Sequence, residues 1–308
     1  MAEAAKTTQG QESKPLDNDQ PWRGIYITTR DGLRIYGRHY PAPGSKLRPV
    51  ICLAGLTRNS RDFHVAAAAL SGTGPNARAV YTIDTRGRGF SEHARDWKDY
   101  IVTIEMMDVQ DFMFAEGLHG AAVIGTSRGG LLAMVLGAAQ PTLIGPVVLN
   151  DIGPVIETTG LVRIAGYVGR TPLPPTWDAA TAQLAAAGRS HFPAIEQEEW
   201  AAVARQWFNE KDGQPAPGYD PKLARTFSAK DGQVPELWPQ FLTLAKKPCM
   251  VIRGSHSDLL SEATVSEMVR RHPECTSYTV EGQGHAPLLR DEATIENIRL
   301  FLAKHDAA

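Results

Sequence analysis

The chain has 308 residues, a formal net charge of -2 and 43 % hydrophobic residues. That length and composition can bury a substantial core as one large α/β domain or two smaller ones, and the balanced charge excludes the basic footprint of a nucleic-acid-binding protein. No apolar stretch reaches membrane-spanning length, and the polar residues 1–20 lack the apolar core of a secretory signal.

Residues 1–20 therefore read as a disordered tail, and the protein as cytoplasmic with a small, weakly charged molecule as its partner. Cys52, Cys249 and Cys275 are too few for a disulfide scaffold and suit reduced, buried thiols. The sequence sets no oligomeric state.

In chain order, the β-rich runs 24–30 and 33–40 flank Asp31-Gly32, a hairpin signal, so the chain opens antiparallel. After a Pro/Gly loop at 41–49 the pattern changes to short, continuous apolar runs at 50–54, 79–83, 121–124, 146–149, 250–252 and 277–280. Such runs predict strands buried on both faces of a largely parallel sheet. Stretches of helical length and composition at 62–70, 101–116, 128–139, 262–271 and 291–303 alternate with them. The expected fold is an α/β three-layer sandwich of right-handed βαβ units. The alternation breaks between Asp151 and about Trp238, where no strand-like run stands, predicting an inserted helical segment over the carboxyl edge of the sheet, where open α/β proteins bind ligands.

Chemistry centres on Gly125-Thr126-Ser127-Arg128-Gly129, which an apolar run enters and a helix leaves. The glycines permit close strand-to-helix packing, and the serine is lifted clear of the sheet as a candidate nucleophile. A hydroxyl needs a base oriented by a carboxylate. The base is His285, in the glycine-flanked loop Gly282-Gln283-Gly284-His285 after the last strand. The acid is sought at Asp258, in the loop after the 250–252 strand; Asp151, after the preceding strand, and Asp84 are rivals, the first also suiting a turn or cap and the second a loop tie. The backbone N–H groups of Arg128 and Leu56 are the expected oxyanion donors.

Candidate substrate contacts are Arg58, His64, Arg163, Trp177, His191 and Trp207. Arg128, Arg58 and Arg163 hint at an acidic substrate, although exposed arginines also pair structurally. No metal signature is present: there is no His-Glu-x-x-His, paired Cys-x-x-Cys, calcium loop or phosphate-binding glycine loop with lysine, and no cofactor is expected.

Together Gly125-Thr126-Ser127-Arg128-Gly129, Asp84-Thr85-Arg86-Gly87-Arg88-Gly89-Phe90-Ser91, Gly254-Ser255-His256-Ser257-Asp258 and Gly284-His285 make the chain resemble the α/β-hydrolase fold family from about residue 24 to 304. The resemblance implies an eight-stranded, mostly parallel sheet, a helical cap inserted after strand six, and a Ser-Asp-His order. The domains then divide as a core of 21–151 and 239–308 with a cap of 152–238. Many relatives carry His-Gly where this chain has Ala54-Gly55, so that histidine's role does not transfer. Epoxide hydrolases and haloalkane dehalogenases of the fold use an aspartate at the elbow, so Ser127 favours acyl chemistry on an ester, thioester or lactone. Carbon-carbon bond hydrolases of aromatic degradation share the triad. A ligand receptor that no longer turns over and a cofactor-free oxygenase remain as further expectations on the same fold.

Overall fold

The computed structural model describes residues 20–226 and 236–306. The tail expected at 1–20 lies almost wholly outside the described residues, as does the stretch 227–235 of the inserted segment.

Strands β1 (Arg23–Thr28) and β2 (Arg34–Tyr40) form the opening hairpin, turned at Gly32 with φ 83°. Then follow β3 (Val50–Leu53), α1 (His64–Leu70), β4 (Val80–Ile83), α2 (Val102–Ala115), β5 (Ala121–Thr126), α3 (Arg128–Ala139) and β6 (Ile144–Asn150). Next come α4 (Thr158–Tyr167), α5 (Trp177–Gly188), α6 (Gln197–Trp207), β7 (Asn209–Lys211), β8 (Gln214–Ala216) and α7 (Trp238–Leu242). The chain closes with β9 (Cys249–Gly254), α8 (Glu262–Arg271), β10 (Cys275–Val280) and α9 (Glu292–Lys304).

Eight strands make one sheet in the order β1-β2-β4-β3-β5-β6-β9-β10, and only β2 runs against its neighbours. Alternation along the strands divides their side chains between two cores. Ile51, Leu53 and Val123 face one side, where Val109 and Phe112 of α2, Leu132 and Leu136 of α3 and Met268 of α8 cover them. Val50, Cys52 and Ile124 face the other, covered by Ala67 and Leu70 of α1 and Ile298 and Leu302 of α9. Both faces of the central strands are thus dry, which explains their unbroken apolar runs. The helices start on side-chain caps where the sequence offers them: Ser261 accepts from Thr264 N at α8 and Asp291 from Thr294 N at α9.

The segment between β6 and β9 differs from expectation in one respect. It contains a two-stranded hairpin, β7–β8, turned at Asp212 (φ 52°) and Gly213 (φ 76°). Two consecutive positive φ values are the demand of a tight hairpin turn, and Asp-Gly meets it; three-residue strands are too short for an alternation signal. The segment is tied to loops at the carboxyl ends of β3, β4 and β9. Asn59 Nδ2 and Arg61 Nε donate to Gln206 O, Gly89 N donates to Gly218 O, Tyr100 Oη donates to Asp220, and Gly160 N donates to Asp258 O. Phe192, Trp200 and Val203 make a small core of their own within it. Among the described residues no helix is long and apolar enough to cross a membrane, and the three cysteines are free and buried.

Candidate active site

Ser127 stands between β5 and α3 with φ 51° and ψ -114°, a conformation that costs a non-glycine residue about 1–3 kcal/mol and persists only where surroundings enforce it. The enforcement is visible. Ser127 N donates to Asn150 O at 2.9 Å, and Ser127 O accepts from Gly130 N and Leu131 N as α3 begins. The flanking glycines leave no room for side chains: a Cβ on Gly125 would lie 2.6 Å from Gly129 O, and one on Gly129 would overlap the carbonyl of Leu53.

His285 lies in the loop after β10, facing Ser127. That loop is pinned by His256 N to Gln283 O (3.0 Å), Gly282 N to Ser255 Oγ (2.9 Å) and Asn150 Nδ2 to Pro287 O (2.9 Å). The imidazole Nε2 is 2.9 Å from Ser127 Oγ and Nδ1 is 2.8 Å from Asp151 Oδ2. Because a carboxylate only accepts, the proton of a neutral ring belongs on Nδ1, leaving Nε2 to accept from the serine hydroxyl.

The acid position corrects the expectation for Asp258. Asp151, fully buried one residue past β6, carries the carboxylate that meets His285. Its Oδ1 accepts from Gly254 N at 2.9 Å and its Oδ2 also accepts from Ser257 Oγ at 2.6 Å. Asp258 instead takes the fork of Arg163, with Nε to Oδ2 at 2.6 Å and Nη2 to Oδ1 at 2.8 Å. Burial pushes the Asp258 carboxyl up, but Arg163 outweighs it and holds the group below the usual carboxylate range. Asp84, the other rival, accepts from Ser60 N and Phe90 N and ties its loop.

Arg128 begins α3, where the first N–H groups lack intrahelical partners. Leu56 borders Ser127 across Gly55, and its carbonyl is held by Arg88 Nε at 2.8 Å, which fixes the loop carrying its N–H. The Arg128 side chain points elsewhere: Nε donates to Glu105 Oε2 at 2.6 Å and Nη2 to Tyr100 O at 2.9 Å. Glu105 is fully buried between Arg88 and Arg128, whose charges hold its carboxyl below its ordinary value against the upward push of burial.

Of the other expected contacts, Arg58 and Trp207 line a pocket with Ser127 and His285. The rest do not. His64 Nδ1 is paired with Tyr40 Oη at 3.0 Å, Arg163 is taken by Asp258, and Trp177 Nε1 donates to Gly213 O under Arg205. His191 packs its backbone against Gly284, beside the catalytic candidate rather than on the pocket wall. Sequence reasoning missed Ser257, Ile164 and Tyr167; only Ser257, inside the Gly-Ser-His-Ser-Asp loop, lay in a stretch already singled out. Among the described residues, no group of three or more His, Cys, Asp or Glu side chains is arranged to hold a metal ion.

Residues 50–297 match the sequence model of the alpha/beta hydrolase family, and the chain belongs to that family. It is 37 % identical to an alpha/beta hydrolase from Novosphingobium aromaticivorans of known structure, with a TM-score of 0.85 over 92 % of this chain and 99 % of that one. It is 32 % identical over 273 residues to the 3-hydroxybutyrate-oligomer hydrolase of Cupriavidus necator, covering 86 % of this chain and 91 % of the relative. The 2-(acetamidomethylene)succinate hydrolase of Mesorhizobium japonicum is 26 % identical over 80 % of this chain and 85 % of its own length. The protein is thus a hydrolase.

Proposed function

We propose that the protein is a serine hydrolase that cleaves a carboxylic ester or lactone of a small molecule through an acyl-enzyme, with Ser127 as nucleophile, His285 as base and Asp151 as the orienting acid. The carrying observation is the unbroken relay from Ser127 Oγ through His285 to Asp151, with contacts of 2.9 and 2.8 Å.

Ser127 Oγ gives its proton to His285 Nε2 as it attacks the carbonyl carbon. Asp151 holds the ring and stabilises the imidazolium. The developing oxyanion takes the N–H groups of Arg128 and Leu56, each such donor being worth about 100- to 1,000-fold in rate. The carbon-oxygen bond breaks, His285 returns the proton to the departing oxygen, and water deprotonated by the same imidazole then releases the acid. Residues 152–238 act as the cap that closes over this chemistry, and the three unpaired thiols fit a reducing, cytoplasmic setting.

The relative named for 3-hydroxybutyrate oligomers supports an ester substrate, since ester bonds join such hydroxy acids. The test is release of p-nitrophenol from p-nitrophenyl butanoate together with fluorophosphonate labelling mapped by mass spectrometry. Labelling at Ser127 and loss of turnover in Ser127→Ala are expected. Labelling at another residue, or turnover that survives the substitution, would overturn the assignment.

A further inference from the structure

Two chambers meet at Ser127. One, of about 390 Å³, is walled by apolar side chains including Leu131, Ile152, Ile156, Leu161 and Leu259. The other is narrow, about 50 Å³, with Thr57, Arg58, Asp62, Gln206, Trp207 and His285 on its wall. Its wall is the more polar of the two. The two sides can be assigned from the proton path. His285 must return its proton to the leaving oxygen, and it lines the narrow chamber but not the apolar one; of the two oxyanion donors in the proposed mechanism, Leu56 lines both chambers and Arg128 the apolar one. The acyl group therefore occupies the apolar chamber and the alcohol the narrow one.

The arginines around the site differ in one respect that matters here. Arg128 is bound to Glu105, Arg163 to Asp258, and Arg61 to the carbonyls of Gln206 and Phe208 and to Asn209 Oδ1. Arg58 makes no side-chain hydrogen bond among the described residues. Its side chain is only 17 % exposed, its Nη1 is buried without a hydrogen-bond partner, and its guanidinium stacks on Trp207. Asp62 Oδ2, at 3.7 Å from Nη1, is an ion-pair neighbour beyond hydrogen-bond reach. Burial draws the Arg58 guanidinium below its ordinary pKa, with Asp62 opposing, so this cation lacks the acceptors that would offset its desolvation. Burial pushes the Asp62 carboxyl up, opposed by Arg58, Arg61 and Arg290, so this one carboxylate is shared among three guanidinium groups. Arg58 also stands close to the reacting centre: its Cγ and the Cβ of Ser127 lie 3.6 and 3.8 Å from the point a Cβ on Gly55 would occupy.

We propose that Arg58 anchors a carboxylate on the alcohol half of the substrate, so that the enzyme cleaves esters in which an apolar acyl group is carried on the hydroxyl of a hydroxy acid. The proposal deepens the serine-hydrolase reading and rests on it. Hydrolysis breaks the acyl carbon-oxygen bond, consumes one water and yields the apolar acid and the free hydroxy acid. The planar guanidinium fork matches a carboxylate, and a few bonds separate that carboxylate from the leaving oxygen.

The test compares 3-butanoyloxypropanoate with its neutral counterpart 3-butanoyloxypropanamide. Wild type is expected to favour the carboxylate more than about tenfold in kcat/KM, and Arg58→Gln to lower that ratio by roughly 10- to 100-fold, with partial recovery in Arg58→Lys. A ratio is read from whatever fraction of a variant folds. On the wild type alone, 3-hydroxypropanoate is expected to inhibit at a concentration at least about tenfold below that of 3-hydroxypropanamide, the margin of one charge-assisted hydrogen bond. Equal turnover and equal inhibition by acid and amide, or a ratio unchanged in Arg58→Gln, would overturn the anchor while leaving the esterase intact. Absence of Ser127-dependent turnover of p-nitrophenyl butanoate as well as of both esters would overturn the underlying reading and the anchor with it.

Discussion

His285 Nδ1 lies 2.8 Å from Oδ2 of Asp151, the first residue past β6, while Asp258, in the loop after β9, is held by Arg163. The two carboxylates sit at the ends of adjacent parallel strands, since β6 pairs directly with β9. What separates them is their company. Asp151 collects the N–H of Gly254 and the hydroxyl of Ser257, donors that fix a carboxylate without neutralising it, whereas Asp258 faces a guanidinium on α4.

The difference predicts unequal costs of substitution. Asp151→Asn is expected to lower kcat/KM by about 1,000- to 10,000-fold, because an amide stabilises the imidazolium poorly and can favour the wrong ring tautomer. Asp258→Asn, which leaves the His285 contact in place, is expected to cost less than about tenfold. Steady-state kinetics of the two variants on p-nitrophenyl butanoate settle the matter, and an equal or greater loss in Asp258→Asn would refute the assignment.

The apolar chamber sets a second expectation. Ile156, in the loop between β6 and α4, lines it together with Leu161 and Leu259. Replacing Ile156 with Trp fills volume on the acyl side, and each methylene excluded from apolar contact forfeits about 0.8 kcal/mol. In a p-nitrophenyl ester series, the optimum acyl chain should shorten, with octanoate losing at least about fivefold relative to acetate. An unchanged chain-length profile would mean that the acyl group lies elsewhere.

A third prediction concerns stability at the sheet's antiparallel edge. His39 on β2 stacks on Tyr81 and accepts from Arg23 Nε through Nδ1 at 3.0 Å. Burial, with a further push from Arg23, lowers its pKa from 6.5 to about 4, so folding favours the neutral ring. That contribution is fully present above pH 6.5 and is lost as the pH falls through the window from 6.5 to about 4. Thermal unfolding of His39→Gln should therefore decline less between pH 7 and 4 than that of wild type. Parallel Tm curves across this window would show that the ring does not drive the change.

Much of the architecture was legible because it follows from local rules. Apolar runs buried on both faces and flanking helical stretches located β3 to β6, α1 to α3, α8 and α9 to within one or two residues, and Gly125 to Gly129 marked the elbow because steric closeness leaves only glycine there. The hairpin at 209–216 escaped because three residues carry no period, although its Asp212-Gly213 turn repeats the signal read correctly at Asp31-Gly32.

By itself, then, the sequence determined the α/β alternation, the serine at the strand-to-helix apex and the histidine loop, all set by backbone sterics and hydrophobic spacing within short stretches. Tertiary structure alone decided which aspartate meets His285 and that Arg58 is left without a hydrogen-bonded partner among the described residues. The choice of aspartate and the capture of Arg163 depend on hydrogen bonds of 2.6 to 2.9 Å between residues about 95 to 134 positions apart, and strand adjacency with α4 packing, not residue type, brings those atoms within reach.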